Sequence, residues 1–366
     1  LLATLAMGLV GLFAYLYRER RAQGVRLEAH APTLERDLLF FLGFFAVAGA
    51  LLFTNAVEWI GHKLNLGEGA VGSVLAAVGT AMPETLIAIV ALLGAAKGSE
   101  DVAIGAIVGA PFLLATLAMG LVGLFAYLYR DKREQGTNLN AHRPTLERDL
   151  TFFLVLFAAA GLLAWGPPAA VRIPVGIAFL VAYVFYIRLT LRGGGAVQGE
   201  QSLNPLIIER RPERREDPAL FLCVIQLLIG LGAMVGGAQL FVEELLNIAE
   251  SIGVEPLVLA LILAPLATEL PEKVNSFFWV REGKDALALG NITGAMVFQS
   301  MIPVGIGLIF TDWALSGNAV LSIGLGLAGG LLAYESLHLS RRFKLPAVIG
   351  WFCLYTAFIV AVLVSA

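Results

Sequence analysis

Apolar runs of about twenty residues, each set off by a short polar stretch, recur along this chain and constrain its fold more than any other feature. A helix needs roughly 20 such residues to cross ~30 Å of hydrocarbon. The runs predict spanning helices at 39–59, 67–95, 102–128, 149–166, 172–191, 219–245, 253–280, 286–310, 317–338 and 346–365. With 58% hydrophobic and 14% charged residues, and a mean hydropathy of +0.82, a water-soluble fold is excluded. A transmembrane β-barrel is excluded too, because its strands read as ~10-residue alternating segments. The expected class is an all-α membrane protein of ten transmembrane helices.

The longest polar stretch, 192–218, contains Gly193 to Gly195 and then Glu209, Arg210, Arg211, Glu213, Arg214, Arg215, Glu216 and Asp217. It divides the chain into two sets of five helices, 39–191 and 219–366. It is too short for a folded domain and reads as a solvated linker. Lysine and arginine are retained on the cytoplasmic side. Lys63, Arg130, Lys132, Arg133, Arg143, Arg148, Arg188, Arg281, Lys284, Arg341, Arg342, Lys344 and the linker arginines fall on one face, against Lys97 and Arg172 on the other. The linker is therefore expected in the cytoplasm and the C-terminus outside. A net charge of −3 leaves no basic face for nucleic acid, so the expected partners are inorganic cations and the lipid bilayer. Oligomeric state is not readable from the sequence, and a monomer is consistent with it. Cys223 and Cys353 sit in apolar blocks, where cysteine behaves as a small hydrophobe.

Two repeats are present. Residues 1–51 match 113–163 at an offset of 112, with 39 of 51 positions identical. The copied basic loop falls, at the start of the chain, on the face opposite to its original. Residues 1–38 are therefore set aside as a duplicated segment, an extra hydrophobic stretch with no expected role in the site. The second repeat is divergent: Thr80-Ala81-Met82-Pro83-Glu84 and Thr268-Glu269-Leu270-Pro271-Glu272 share T-x-x-P-E, 188 residues apart. Further on, Gly105 and Gly109 answer Gly290 and Gly294. Five helices separate the copies, and an odd number places them in opposite orientations, the signature of an inverted-topology repeat.

Each T-x-x-P-E lies within an apolar run. A buried charge at membrane depth costs at least ~2.5–3.5 kcal/mol on insertion scales, so such residues normally face a cavity or pathway. Glu84 and Glu272 are the leading candidates. The proline before each removes a backbone N–H and clashes with the preceding turn, which is expected to free carbonyls near Val78, Gly79, Pro265 and Leu266. Those carbonyls, the carboxylates and the hydroxyls of Thr80 and Thr268 make a hard-oxygen site suited to Ca²⁺ or Na⁺. The G-x-x-x-G pairs are expected to pack a helix closely against each motif, bringing Asn291 and Gln299 within reach of the cavity. Glu269 and Lys273 are four apart in the favourable order for an ion pair; alternatively, Lys273 acts as a built-in cation competing for Glu272 or Glu269. Asp101 and Asp285 read as helix N-terminal charges. His30, His62, His142 and His338 show no metal-ligand spacing. No H-E-x-x-H, Walker A or G-x-S-x-G motif occurs, so neither an enzyme nor a cofactor is expected.

At these residues the sequence resembles the calcium/cation antiporter superfamily, the sodium/calcium exchanger membrane region with its two α-repeats. In that family each repeat reads approximately G-T-S-L-P-E and then G-N-x-x-G-S-N-x-x-x-N or D. The resemblance implies alternating access, with a cation site at mid-membrane and Glu84, Glu272, Thr80 and Thr268 as ligands. The chain departs from the pattern at Ala81, Ala106, Ala110, Pro111 and Leu114 in the first repeat, and at Glu269, Ala295, Met296 and Gln299 in the second, while keeping Asn291.

The expected function is secondary antiport of Ca²⁺ or a related cation against Na⁺, with metal-site residues Glu84, Glu272, Thr80, Thr268, Glu269, Gln299 and Asn291. Na⁺-type ligands are missing from the first half, and desolvation raises a carboxylate's pKa, so H⁺ coupling is an alternative. A cation uniporter and a degenerate, non-transporting homologue are the others. The short linker fits a compact exchanger of a prokaryotic cell membrane.

Overall fold

The computed structural model describes residues 49–63, 81–94, 96–192, 205–209 and 218–365. The expectations for residues 1–38 and for Thr80 lie outside them. The described residues form helices α1 (Ala50–Lys63), α2 (Met82–Leu93), α3 (Ser99–Leu128), α4 (Arg143–Leu162), α5 (Ala169–Arg192), α6 (Leu220–Ile252), α7 (Pro256–Arg281), α8 (Asp285–Phe310), α9 (Gly317–Glu335) and α10 (Leu345–Ser365). The only extended pairing among them is two isolated bridges, Asn138 with Arg342 and Trp165 with Ala314. By length and composition, α3, α5, α6, α8, α9 and α10 can each cross a membrane. In α7 the apolar stretch is shorter, Pro256–Glu269, because the charges of the second motif interrupt it.

The boundaries have local causes. Pro83, Pro144 and Pro256 stand in first turns, where the missing N–H has no intrahelical acceptor to disappoint. Gly253, with φ 68°, closes α6 in the left-handed conformation that glycine adopts without strain. Pro111 lies inside α3, and a π turn follows it at Leu114–Ala118.

α3 is the centre of the molecule, enclosed over nearly its whole length, while α5, α6 and α10 keep most of their surface at the periphery. Its closest partner is α7, and glycine makes the approach possible. A Cβ on Gly105 would stand 2.5 Å from the Ala260 Cβ, and one on Gly109 would stand 2.7 Å from the Leu261 carbonyl oxygen. Gly105 and Gly109 therefore do pack closely, but against the stretch of α7 before the second T-x-x-P-E rather than against the first motif. No described atom comes within 4 Å of the corresponding position at Gly290 or Gly294, and residues 64–80 lie outside the described set.

Residues 205–209, between α5 and α6, are held against the helices. Leu206 is buried with Trp59 and Cys223. The Ile207 N–H donates to Asn55 Oδ1 at 3.1 Å, the Ile208 N–H donates to Gln226 Oε1 at 3.0 Å, and Gln226 Nε2 donates to Asn55 Oδ1 at 2.9 Å. Two amides buried between α1 and α6 require partners, and the backbone at 207 and 208 supplies part of them.

Candidate cation site

α2 begins at Met82, so Pro83 and Glu84 both lie in its first turn. There the helix N-terminus favours an anion. Glu84 is buried, and Thr85 Oγ1 donates to the Ala81 carbonyl at 2.9 Å. The second motif sits differently. α7 runs without a break through Pro271, so the helix does not open at Pro265 and Leu266, near which freed carbonyls were expected. The carbonyl that loses its donor to a proline at 271 is the one four residues earlier, at Ala267. Two copies of one motif therefore occupy a helix start and a helix interior.

Thr268 and Glu269 are both buried, and Thr268 Oγ1 donates to the Ala264 carbonyl at 2.8 Å. That bond uses the hydroxyl proton and leaves the oxygen's lone pairs available to a cation. Gln299, fully buried on α8, donates through Nε2 to Glu269 Oε1. Asn291 Nδ2 donates to Ser276 Oγ at 3.0 Å. A helix rises 1.5 Å per residue, so the eight residues between Asn291 and Gln299 set the two contacts about 12 Å apart along α8. The structure thus joins Gln299 to Glu269 and places Asn291 at another level, beside Ser276. Glu272 and Lys273 lie on the helical backbone of α7, and their side chains are outside the described residues.

Ala81 belongs to one buried cluster with Val297, Phe298 and Met301 of α8 and Tyr183 and Tyr186 of α5. Val297 to Met301 flank Gln299, so the start of α2, with Glu84 in its first turn, lies against the Gln299 end of α8. Glu84 therefore starts a helix that packs near the Gln299 segment, while Glu269 is bonded to that glutamine directly. The positions departing from the exchanger pattern in the first half, Ala81, Ala106, Ala110, Pro111 and Leu114, are buried and apolar.

Other candidates have other partners. Asp285 is more than a helix N-terminal charge: its Oδ2 accepts from Arg133 Nη2 at 2.8 Å and from the Asn140 N–H at 2.9 Å. His338 contacts Glu147 and Arg143. Among the described residues no group of three or more His, Cys, Asp or Glu side chains is placed to hold a metal ion. Sequence reasoning missed Ser276, Asp149, Tyr186 and Thr293. A buried aspartate at the start of an apolar run was the available signal for Asp149.

The fold and the enclosed carboxylates define a multi-span membrane protein built around charged groups held inside its helices. The family model described as sodium/calcium exchanger protein matches residues 38–192 and 222–364, and the chain belongs to that family. The interval between the two matches coincides with the polar stretch between the two sets of helices. A putative antiporter, CaxA, from Alkalimonas amylolytica is 25% identical over 267 residues, 73% of this chain and 78% of that one. The sodium/calcium exchanger MaX1 of Methanosarcina acetivorans is 25% identical over 295 residues, 75% of this chain and 82% of that one. The fold resembles the crystal structure of the H⁺/Ca²⁺ exchanger CAX, with a TM-score of 0.69 at 19% identity over 97% of this chain and 85% of that one. It also resembles the sodium-calcium exchanger NCX_Mj soaked with Na⁺ and Sr²⁺, with a TM-score of 0.58 at 20% identity over 90% and 99%.

Proposed function

We propose that this protein is a secondary antiporter that exchanges Ca²⁺ or a related cation for Na⁺ by alternating access, through ten spanning helices in two inverted sets of five. The linker then lies in the cytoplasm. The observation that carries this reading is the burial of Glu84 and Glu269, from opposite halves of an exchanger-family chain, at the two helices that meet the Gln299 segment of α8.

In this reading the site comprises Glu84, Glu269, Glu272, Thr80, Thr268 and Gln299, with Asn291 acting from a level nearer the α7–α8 turn. Carboxylates and hydroxyls supply hard oxygen ligands. Their negative charge is neutralised by a divalent ion or by its replacements before each crossing, since an uncompensated carboxylate is expensive in a low-dielectric interior. The transported ions bind as substrates. Lys273, one residue beyond Glu272, lowers the net charge to be neutralised and with it the number of coupling ions.

The apolar residues at Ala81, Ala106, Ala110, Pro111 and Leu114 favour one second reading, in which protons replace Na⁺ as the coupling ion. The test is Ca²⁺ uptake into proteoliposomes under an outward Na⁺ gradient and, separately, an outward H⁺ gradient. Uptake on Na⁺ supports the primary reading, and uptake on H⁺ alone replaces it with cation/proton exchange. Current without dependence on either counter-ion indicates a uniporter, and cation binding without flux indicates a non-transporting homologue.

A further inference from the structure

Asp149, on α4, is a buried carboxylate that the cation site does not use. Its Oδ1 accepts from Tyr186 Oη at 2.9 Å and from Arg148 Nη2 at 2.9 Å and Nε at 3.2 Å, and its Oδ2 accepts from Thr293 Oγ1 at 2.9 Å. The donors come from α5, from α4 itself and from α8. The Arg148 guanidinium also lies 5.2 Å from the Tyr186 ring centroid. The Arg148 guanidinium already bound to the carboxylate excludes a second cation site here, although the four oxygens would otherwise suit one.

Both arms of this node lead to the cation site. Thr293 lies six residues before Gln299 on α8, about 9 Å along the axis. Tyr186 stacks with Tyr183 at 6.0 Å, and Tyr183 meets Phe298 edge-on at 5.3 Å. Ala81, in the first T-x-x-P-E, belongs to the same cluster as Val297, Phe298 and Met301. Fixing the Tyr186 hydroxyl and the Thr293 hydroxyl to one carboxylate therefore fixes α8 against α5, and through the aromatic pair against the start of α2.

We propose that Asp149 is a positioning residue for transport: by holding Tyr186 and Thr293 together it sets the placement of the Gln299 segment of α8 against the Glu84 end of α2, and so the affinity for the cation. This rests on the reading of the chain as a cation antiporter. A role confined to stability would lower the amount of folded protein and leave the affinity of what folds unchanged.

The test uses variants of nearly conserved shape in proteoliposomes. Thr293→Val and Tyr186→Phe each remove one hydrogen bond, and Asp149→Asn keeps an acceptor for Tyr186 and a donor toward Thr293. Loss of one net hydrogen bond that holds the site corresponds to about a threefold to tenfold weaker interaction. The half-saturating Ca²⁺ concentration for uptake is expected to rise by about that factor in Thr293→Val and Tyr186→Phe. Asp149→Ala should raise it at least as far, and Asp149→Asn should restore part of the loss. Unchanged half-saturation in both single variants, with maximal rate falling only in step with folded protein, overturns the proposal. Absence of cation-driven exchange in the parent protein overturns instead the functional reading on which it rests. Thr293→Val keeps its packing volume, so the comparison stands even where Asp149→Ala fails to fold.

Discussion

Arg133, in the loop after α3, places Nη2 2.8 Å from Asp285 Oδ2 at the first residue of α8, and neither side chain is exposed to solvent. The same guanidinium donates to the Val280 carbonyl at 2.7 Å, the Asn138 carbonyl at 3.1 Å and the Gly136 carbonyl at 2.8 Å. One arginine from the first half thus fastens the α7–α8 turn of the second half. Removing one partner of a buried pair leaves an uncompensated charge, which costs about 3–5 kcal/mol. Arg133→Ala is expected to lower the thermal midpoint in detergent sharply, whereas the double variant Arg133→Met/Asp285→Leu should recover much of that loss. Equal midpoints in Arg133→Ala and the parent would contradict this role.

The α3–α7 contact depends on Gly105. Gly105→Val places atoms where Ala260 Cβ already lies 2.5 Å from the first added carbon, and overpacking of this kind costs typically ~1–3 kcal/mol. Reduced folded yield and reduced uptake are expected. Gly232→Ala, on α6 with nothing within 4 Å of the new methyl, is the control and should leave both unchanged. Tolerance of valine at 105 would mean that the helices do not approach as closely as described.

Acid sensitivity has an assignable source outside the spanning segments in Glu147. Arg143 first and His338 second hold the Glu147 carboxyl below its ordinary value of 4.5. A carboxylate whose folded-state pKa is depressed contributes stability above its unfolded pKa and loses it as pH falls through the folded value. The contribution is therefore present above about pH 4.5 and disappears below it. Glu147→Gln should lower the thermal midpoint modestly near neutrality and make it less dependent on pH on the acid side, the two proteins converging as the parent's carboxylate is protonated. An unaltered acid slope would remove this group from the account.

Arg172 accounts for a basic residue on the sparsely charged face. It donates to the Leu308 and Ile309 carbonyls at 3.1 and 3.0 Å and pairs with Asp312 at 3.1 Å. It thereby satisfies carbonyls at the end of α8 that have no intrahelical donor. Arg172→Ala should destabilise the protein, while Arg172→Lys retains the charge and recovers part of the loss. A midpoint unmoved by Arg172→Ala would show that water serves those carbonyls equally well.

Much of this was legible in the sequence because hydropathy and length act locally. The run at 286–310 became α8 at Asp285–Phe310, and the glycine spacing of Gly105 and Gly109 announced a close crossing. The pairing of Glu269 with Gln299 was less accessible, since their i and i+30 separation carries no periodic signal and only the antiparallel packing of α7 and α8 brings them together. The continuity of α7 through Pro271 was hidden for a related reason. Proline frees one carbonyl wherever it occurs, but neighbouring helices decide whether the helix then opens. Asn291 was grouped with Gln299 through the expected G-x-x-x-G packing, whereas the rise of the helix separates them. Asp149 escaped notice because its donors, Tyr186 and Thr293, stand 37 and 144 residues away in the chain.

Dependence of cation exchange on Glu84 is the core of the proposed function. Its most direct measurement is Ca²⁺ uptake into proteoliposomes under an outward Na⁺ gradient, comparing the parent, Glu84→Gln and Glu147→Gln at equal amounts of folded protein. Uptake is expected to be abolished in Glu84→Gln and retained in Glu147→Gln. Full Ca²⁺ flux through Glu84→Gln would contradict it.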